Sequence, residues 1–227
     1  MKRCYNLIVM IKRILGISYS PAGGTARVTE LMAEEVARHL RECSPEEVIV
    51  ECCTIKEGEP IPPVSDDETV VVLGMPVYVG KIPLPAVKAT REISGNSAMT
   101  LAIVSYSGRS YGNALYELKQ YAAERDFTVI GAGAIAISYS AARGSDRIGH
   151  VAIDMTALRE YAKAATAKIM RLGGCEVEGL RVKPAPLEVK GRMPKHKFSR
   201  LSPGAAAIAQ ALLDKVVLRR RESEWFL

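Results

Sequence analysis

Thr69-Val70-Val71-Val72-Leu73 is a run of β-branched and aliphatic residues with no charged position inside it. A strand with one wet face alternates apolar and polar side chains. An unbroken run of strand length therefore reads as a central strand of a parallel sheet, covered on both faces. Gly74 to Pro83 follows as a Pro- and Gly-containing loop. Working outward, comparable runs lie at residues 14–18, 48–53, 98–104 and 127–137. Segments of helical period separate them. After Gly24, Val28, Leu31, Met32, Val36 and Leu40 share one face. Tyr111, Leu115, Leu118 and Ala122 do so within 111–125, and 155–172 ends in Lys168, Arg171 and then Gly173-Gly174, a helix stop. Strand and helix in alternation define an α/β fold: a doubly wound five-stranded parallel sheet, with about five helices on both its faces.

The body is expected over residues 1–179 and a C-terminal extension over 180–227, with no internal repeat. At 227 residues, 48% hydrophobic and 25% charged, the chain suits one sizeable domain with an appendage and excludes a disordered, collagen-like or coiled-coil protein. No run approaches the roughly 20 apolar residues of a membrane span. Met1-Lys2-Arg3 before an apolar stretch imitates a signal peptide, but Lys12 and Arg13 close that stretch without a small-residue cleavage site, so a cytoplasmic protein is expected. The cysteines, Cys4, Cys43, Cys52, Cys53 and Cys175, are odd in number and hold no C-x-x-C, so reduced thiols are expected in place of disulfides, zinc or iron–sulfur ligation. His39, His150 and His196 are scattered without metal-ligand spacing.

Charge is unevenly placed. From residue 181 on there are 11 Lys and Arg against 4 Asp and Glu, which leaves 20 against 21 before it. The body is thus near neutral and the tail basic, with Lys183, Lys190, Arg192, Lys195, Lys197 and Arg200 among four prolines. Such a tail either meets an acidic partner or is a solvated extension. With Phe198 its one aromatic before Trp225 and Phe226, it lacks the stacking platform of a single-strand binder, and nucleic acid is not an expected partner. A last helix over 204–221 presents Ile208, Leu212 and Val216, a face for the body or for a second subunit in a homodimer.

Ligands of open parallel sheets bind beyond the carboxyl ends of the strands, which directs attention to the loops after the first, third and fourth strands. Ser18-Tyr19-Ser20-Pro21-Ala22-Gly23-Gly24-Thr25 leads straight into a helix. It reads as a phosphate cradle, where backbone amides and the helix N-terminus face an anion and Ser20 and Thr25 add hydroxyls. It reads equally as a tight turn with Thr25 as N-cap. In the second loop, Pro76-Val77-Tyr78 and Gly80 offer a ring beside a residue that permits close approach, and Tyr106 to Gly112 adds Tyr111, Gly108 and Arg109. One phosphate loop and two aromatic loops suit a mononucleotide with a planar headgroup.

These three loops, in this order, resemble the flavodoxin family, in particular the flavodoxin-like half of flavodoxin–ferredoxin fusion proteins, over about residues 12 to 172. The resemblance implies non-covalent FMN and electron transfer, as a carrier or as a quinone- or NAD(P)H-linked reductase. It implies phosphate binding by the segment Ser20, Pro21, Ala22, Gly23, Gly24 and Thr25, which matches the family's T-G-T-G-N-T. Ala22 and Gly24 depart from that pattern, removing a hydroxyl and an amide side chain. It further implies ring contacts from Pro76, Val77, Tyr78, Gly80, Tyr106, Gly108 and Tyr111, with Arg109 at the ring edge or a second substrate. The partner would be a redox protein or a small electron donor or acceptor. The fusion relatives' ferredoxin module is absent, and the alternative is a flavin-free module of the same fold acting through its basic tail. No residue is assigned to catalysis.

Three other patterns carry no activity. Gly131-Ala132-Gly133-Ala134-Ile135-Ala136 fits a dinucleotide fingerprint but lies inside a strand pattern. The Gly80-Lys81 spacing from Gly74 is too long for a phosphate-binding Walker loop, with Ile82 where Ser or Thr would stand, and there is no G-x-S-x-G elbow.

Overall fold

The computed structural model describes residues 11–43, 47–64, 68–108, 110–139, 151–173, 176–177, 180–181, 185–193, 198–202, 204–206, 208–209 and 222–227. Strand β1 (Arg13–Ser18) lies between β2 (Ile49–Thr54) and β3 (Thr69–Pro76), parallel to both. Beyond β3 come β4 (Met99–Tyr106) and β5 (Thr128–Tyr139), also parallel, which gives the order 2-1-3-4-5. That is the strand order of flavodoxin-like doubly wound folds, in which the direction of winding reverses between β1 and β3. Every residue of β3 and β4 is buried, so the uninterrupted apolar run at 69–73 pairs at Val71 with Leu15 on one side and Thr100 on the other.

The five parallel strands are not the whole sheet. Strand β5 continues past residue 137 to Tyr139, where β6 (Val151–Ile153) pairs antiparallel with Ile137–Tyr139. A further strand from the C-terminus pairs with β5 at Ala132–Ala134, making seven strands. Two short strands, β7 (Glu176–Val177) and β8 (Leu180–Arg181), form a separate ladder, and the C-terminal strand is β9 (Glu224–Phe226).

Helices α1 (Gly24–Cys43) and α4 (Met155–Gly173) cover one face; α2 (Leu84–Ala89) and α3 (Ala114–Ala123) cover the other. Strand parity decides which side chains go where. Val70 and Val72 pack with Met32, Val36 and Leu158, whereas Val71, Leu73 and Met75 pack with Ala86, Leu115 and Leu118. Among the described residues, four α-helices flank the sheet and no helix joins β2 to β3. The 131–136 motif is strand, and its glycines make room for a ring. A Cβ at Gly133 would meet Tyr161 Cε1 at 2.6 Å, and one at Gly131 would meet the Tyr161 hydroxyl at 2.8 Å.

The tail is packed where it is described. Leu187 and Val189 are buried in the α2–α3 core, Gly191 lies against Tyr116, and Phe198 meets Tyr121 edge-on at 6.1 Å. Ser199 bonds to both sides of Pro83, its amide donating to Ile82 O and its carbonyl accepting from Leu84 N, each at 2.7 Å. Residues 185–193 and 198–202 are therefore strapped to the body through Leu187, Val189, Phe198 and Ser199, with Lys190, Arg192 and Arg200 exposed. The expected last helix is present at 204–206 and 208–209, with Ile208 exposed; Leu212 and Val216 lie outside the described residues. No helix among the described residues is long and apolar enough to cross a membrane.

Candidate functional site

A cleft of about 170 Å³ opens beyond the carboxyl ends of β1, β3, β4 and β5, at the point where the winding reverses. Its floor on the β1 side is the start of α1. There Ser20 Oγ accepts from Ala26 N at 2.9 Å, and Gly23 takes φ 78° to turn the chain into the helix. Thr25 is inside the helix, not its N-cap. Its hydroxyl bonds Ser105 Oγ at 2.6 Å, tying this loop to the end of β4, and the capping side chain is Ser20. Among the described residues the amides of Gly24 and Thr25 find no acceptor, and the first turn of α1 carries no acid. Backbone N–H groups at a helix start concentrate positive potential, so the cleft floor favours an anion. Arg27 does not add to it, being paired with Glu30 at 2.6 Å.

In the second loop Tyr78 and Lys81 exchange backbone hydrogen bonds across a tight turn, with Val79 at φ 55° and Gly80 at φ 73°. Gly80 meets Gly112, itself at φ 57°: a Cβ at 112 would lie 2.6 Å from Gly80 Cα, and Asn113 N donates to Gly80 O at 2.9 Å. The close approach that Gly80 permits is thus to the neighbouring loop. The Tyr78 ring is half-buried beside the cleft. Burial first, and then the nearness of Tyr19 and Tyr139, pushes its pKa up to about 12, so the phenol is neutral at ordinary pH.

The third loop differs from its sequence reading. Tyr106 forms part of the cleft wall, but it is 1% exposed and packs edge-on to Tyr111 at 5.6 Å. Tyr111, expected near a ring, does not line the cleft. It points into the core, where its hydroxyl donates to the Glu224 carboxylate of β9. Arg109 lies outside the described residues. Of the other expected residues, Ala22, Thr25, Pro76, Val77, Tyr78 and Gly108 line the cleft, while Ser20, Gly23, Gly24 and Gly80 shape its loops.

Sequence reasoning missed Val79, Ser105, Ser107, Ser110, Ile137, Tyr139 and Ala206. The rule that singled out the ends of β1, β3 and β4 applies equally to β5, and extending it would have found Tyr139. Ala206 returns to the cleft with the tail and carries no local signal. A wider depression of about 480 Å³ lies along β5 and β6, but its polar groups serve the fold. Asp154 accepts from Ala157 N at the start of α4 and from the Ser223 hydroxyl, which itself accepts from Ala136 N.

Fold and cleft together define a doubly wound α/β protein with a crevice at its switch point. No protein-family model matches the chain, and no curated protein matches it. Among solved structures it is similar to a flavodoxin from the domain Archaea, at 18% identity and TM-score 0.42, over 69% of this chain and 98% of that one. It is also similar to rubredoxin oxygen:oxidoreductase from the anaerobe Desulfovibrio gigas, at 14% identity and TM-score 0.41, over 72% of this chain and 36% of that one. Likenesses this distant leave the fold resting on its strand order.

Proposed function

We propose that the protein binds FMN non-covalently in this crevice and moves electrons through it. The observation that carries the reading is the convergence of the helix-start amides of Gly24 and Thr25, which find no acceptor among the described residues, with a half-buried Tyr78 ring at one cleft. The donor set suits the two ends of such a ligand. Ala22 and Gly24 bring no bulky side chain of their own to the helix start that would hold a phosphate, while Pro76, Val77 and Tyr78 offer an apolar, aromatic wall to a flat ring. Tyr106 and Gly108 complete that wall; Ser20, Gly23 and Gly80 hold the loops, and Tyr111 positions Tyr106. FMN, when bound, supplies one- and two-electron transfer, and the protein supplies binding and orientation. A cleft of about 170 Å³ is below the roughly 300–1,000 Å³ of pockets that enclose a ligand, so part of the ligand stays open to a redox protein or small electron donor or acceptor. The free thiols at Cys43, Cys52 and Cys53 support a reducing, cytoplasmic setting.

The test is the visible spectrum of the purified protein after adding FMN and removing what is unbound. Bands near about 375 and 450 nm travelling with the protein are expected, and a colourless protein overturns the reading. Gly23→Val should abolish retention, because a β-branched residue resists the φ of 78° that turns the chain into α1.

A further inference from the structure

We propose that Tyr139 is a further ligand-binding residue of this cleft, its phenol hydroxyl donating to the phosphate of the bound mononucleotide. This rests on the reading of the crevice given above. The argument begins with space. A Cβ at Gly24 would lie 2.4 Å from the Tyr139 hydroxyl oxygen and 2.9 Å from Ile137 Cδ1. The phenol from the end of β5 therefore occupies the position of a side chain at residue 24, directly over the start of α1. Glycine at 24 is what lets it sit there.

The second step is a survey of the side-chain donors at the cleft. Ser20 Oγ accepts from the Ala26 amide and keeps its own proton to donate, the Thr25 and Ser105 hydroxyls share one hydrogen bond, and the Arg27 guanidinium is paired with Glu30. Ala22 and Gly24 have no polar side chain. The first loop consequently offers an anion its amides and few side-chain donors, the Ser20 hydroxyl among them. Tyr139 lines the same cleft, is 39% exposed, and makes no side-chain hydrogen bond among the described residues. Partial burial raises its pKa, so the hydroxyl keeps the proton it would donate. A hydroxyl that is half out of water, without a partner among the described residues and poised over the start of α1 is placed to add to the anion's coordination.

The experiment is a flavin-fluorescence titration of the full chain and of Tyr139→Phe with two probes, FMN and riboflavin, which lacks the phosphate. Removing a hydrogen bond to a charged group should weaken FMN about tenfold or more. Riboflavin should bind the two proteins alike, and unchanged far-ultraviolet circular dichroism would show that the variant is folded. Gly24→Ala, whose Cβ collides with the phenol, should reproduce the FMN-selective loss. Equal FMN affinity in wild type and Tyr139→Phe overturns the role of Tyr139 and leaves the FMN reading standing. Equal weakening of both probes overturns it as well, because the ring would then be acting on the flavin headgroup. Failure of the wild type to bind either probe removes the crevice reading and this inference with it.

Discussion

Val79 holds φ at 55°, in the left-handed region that a β-branched side chain disfavours, and it does so on the wall of the cleft. Such backbone strain costs about 1–3 kcal/mol and persists only where surrounding contacts enforce it. Here the enforcing contacts are the paired bonds of Tyr78 with Lys81 and the stacking of Gly80 on Gly112. Val79→Gly relieves the strain but increases the freedom of the unfolded chain, so a net gain of about 1 kcal/mol is expected, read as a higher urea midpoint. A lower midpoint would show that packing of the valine outweighs its backbone cost. Orientation matters as much as identity at this scale. Tyr106 and Tyr111 are aromatic as expected, yet their rings serve the core, because the residue parity of β4 puts Tyr106 on the face of Ala102 and Val104.

Helices α1 and α4 lie side by side on one face of the sheet and are joined by a charge network. Glu35 accepts from Arg38 at 2.6 Å within α1 and from Arg159 of α4 at 3.2 Å. The Arg38 guanidinium holds the Glu35 carboxyl below its ordinary pKa, with Arg159 adding to the effect and partial burial opposing it. A carboxyl whose pKa is lower folded than unfolded contributes stability above its unfolded value, and that contribution fades as pH falls through the folded one. Both arginines are largely in solvent, so screening keeps the contribution to about 0.5–1 kcal/mol. Glu35→Gln should be less stable than wild type by that amount at neutral pH, and the two unfolding curves should converge in acid below the ordinary glutamate range. A deficit that persisted there would assign the loss to packing. Helix α3 shows the opposite regime. Its Glu117 is fully buried and accepts from Ile82 N at 2.9 Å and Phe198 N at 3.3 Å, fixing the second loop and the tail strap to one helix.

For the whole molecule, the C-terminus completes what the parallel sheet leaves open. Strand β9 pairs with β5, Trp225 stacks parallel on Tyr161 at 6.1 Å, and Glu224 takes the Tyr111 hydroxyl. Deleting residues 223–227 would uncover Tyr161 and remove the Glu224 carboxylate that accepts from the Tyr111 hydroxyl, a hydrogen bond to a charged group worth about 1.5–3 kcal/mol. The truncated chain is expected to unfold with a free energy lower by more than about 2 kcal/mol in a urea titration, because apolar burial is lost as well. An unchanged midpoint would mean that the strand adds nothing to the fold.

The parallel sheet, the long helices α1 and α4, and the loops at the ends of β1 and β3 were legible in the sequence because each rests on a local property. An unbroken apolar run marks a strand covered on both faces, a 3.6-residue period marks a helix, and small residues mark a turn. Only the tertiary structure decided the rest. Three-residue strands such as β6 and β9 are too short for any period to register, and the pairing of β9 with β5 joins residues far apart in the chain. Where both faces of a strand are covered, no polar alternation reveals which way Tyr106 points. The engagement of Thr25 by Ser105, of Tyr111 by Glu224, and the placing of Tyr139 over Gly24 each join residues eighty or more apart, or on different strand ends, so they exist only once the sheet has closed its register.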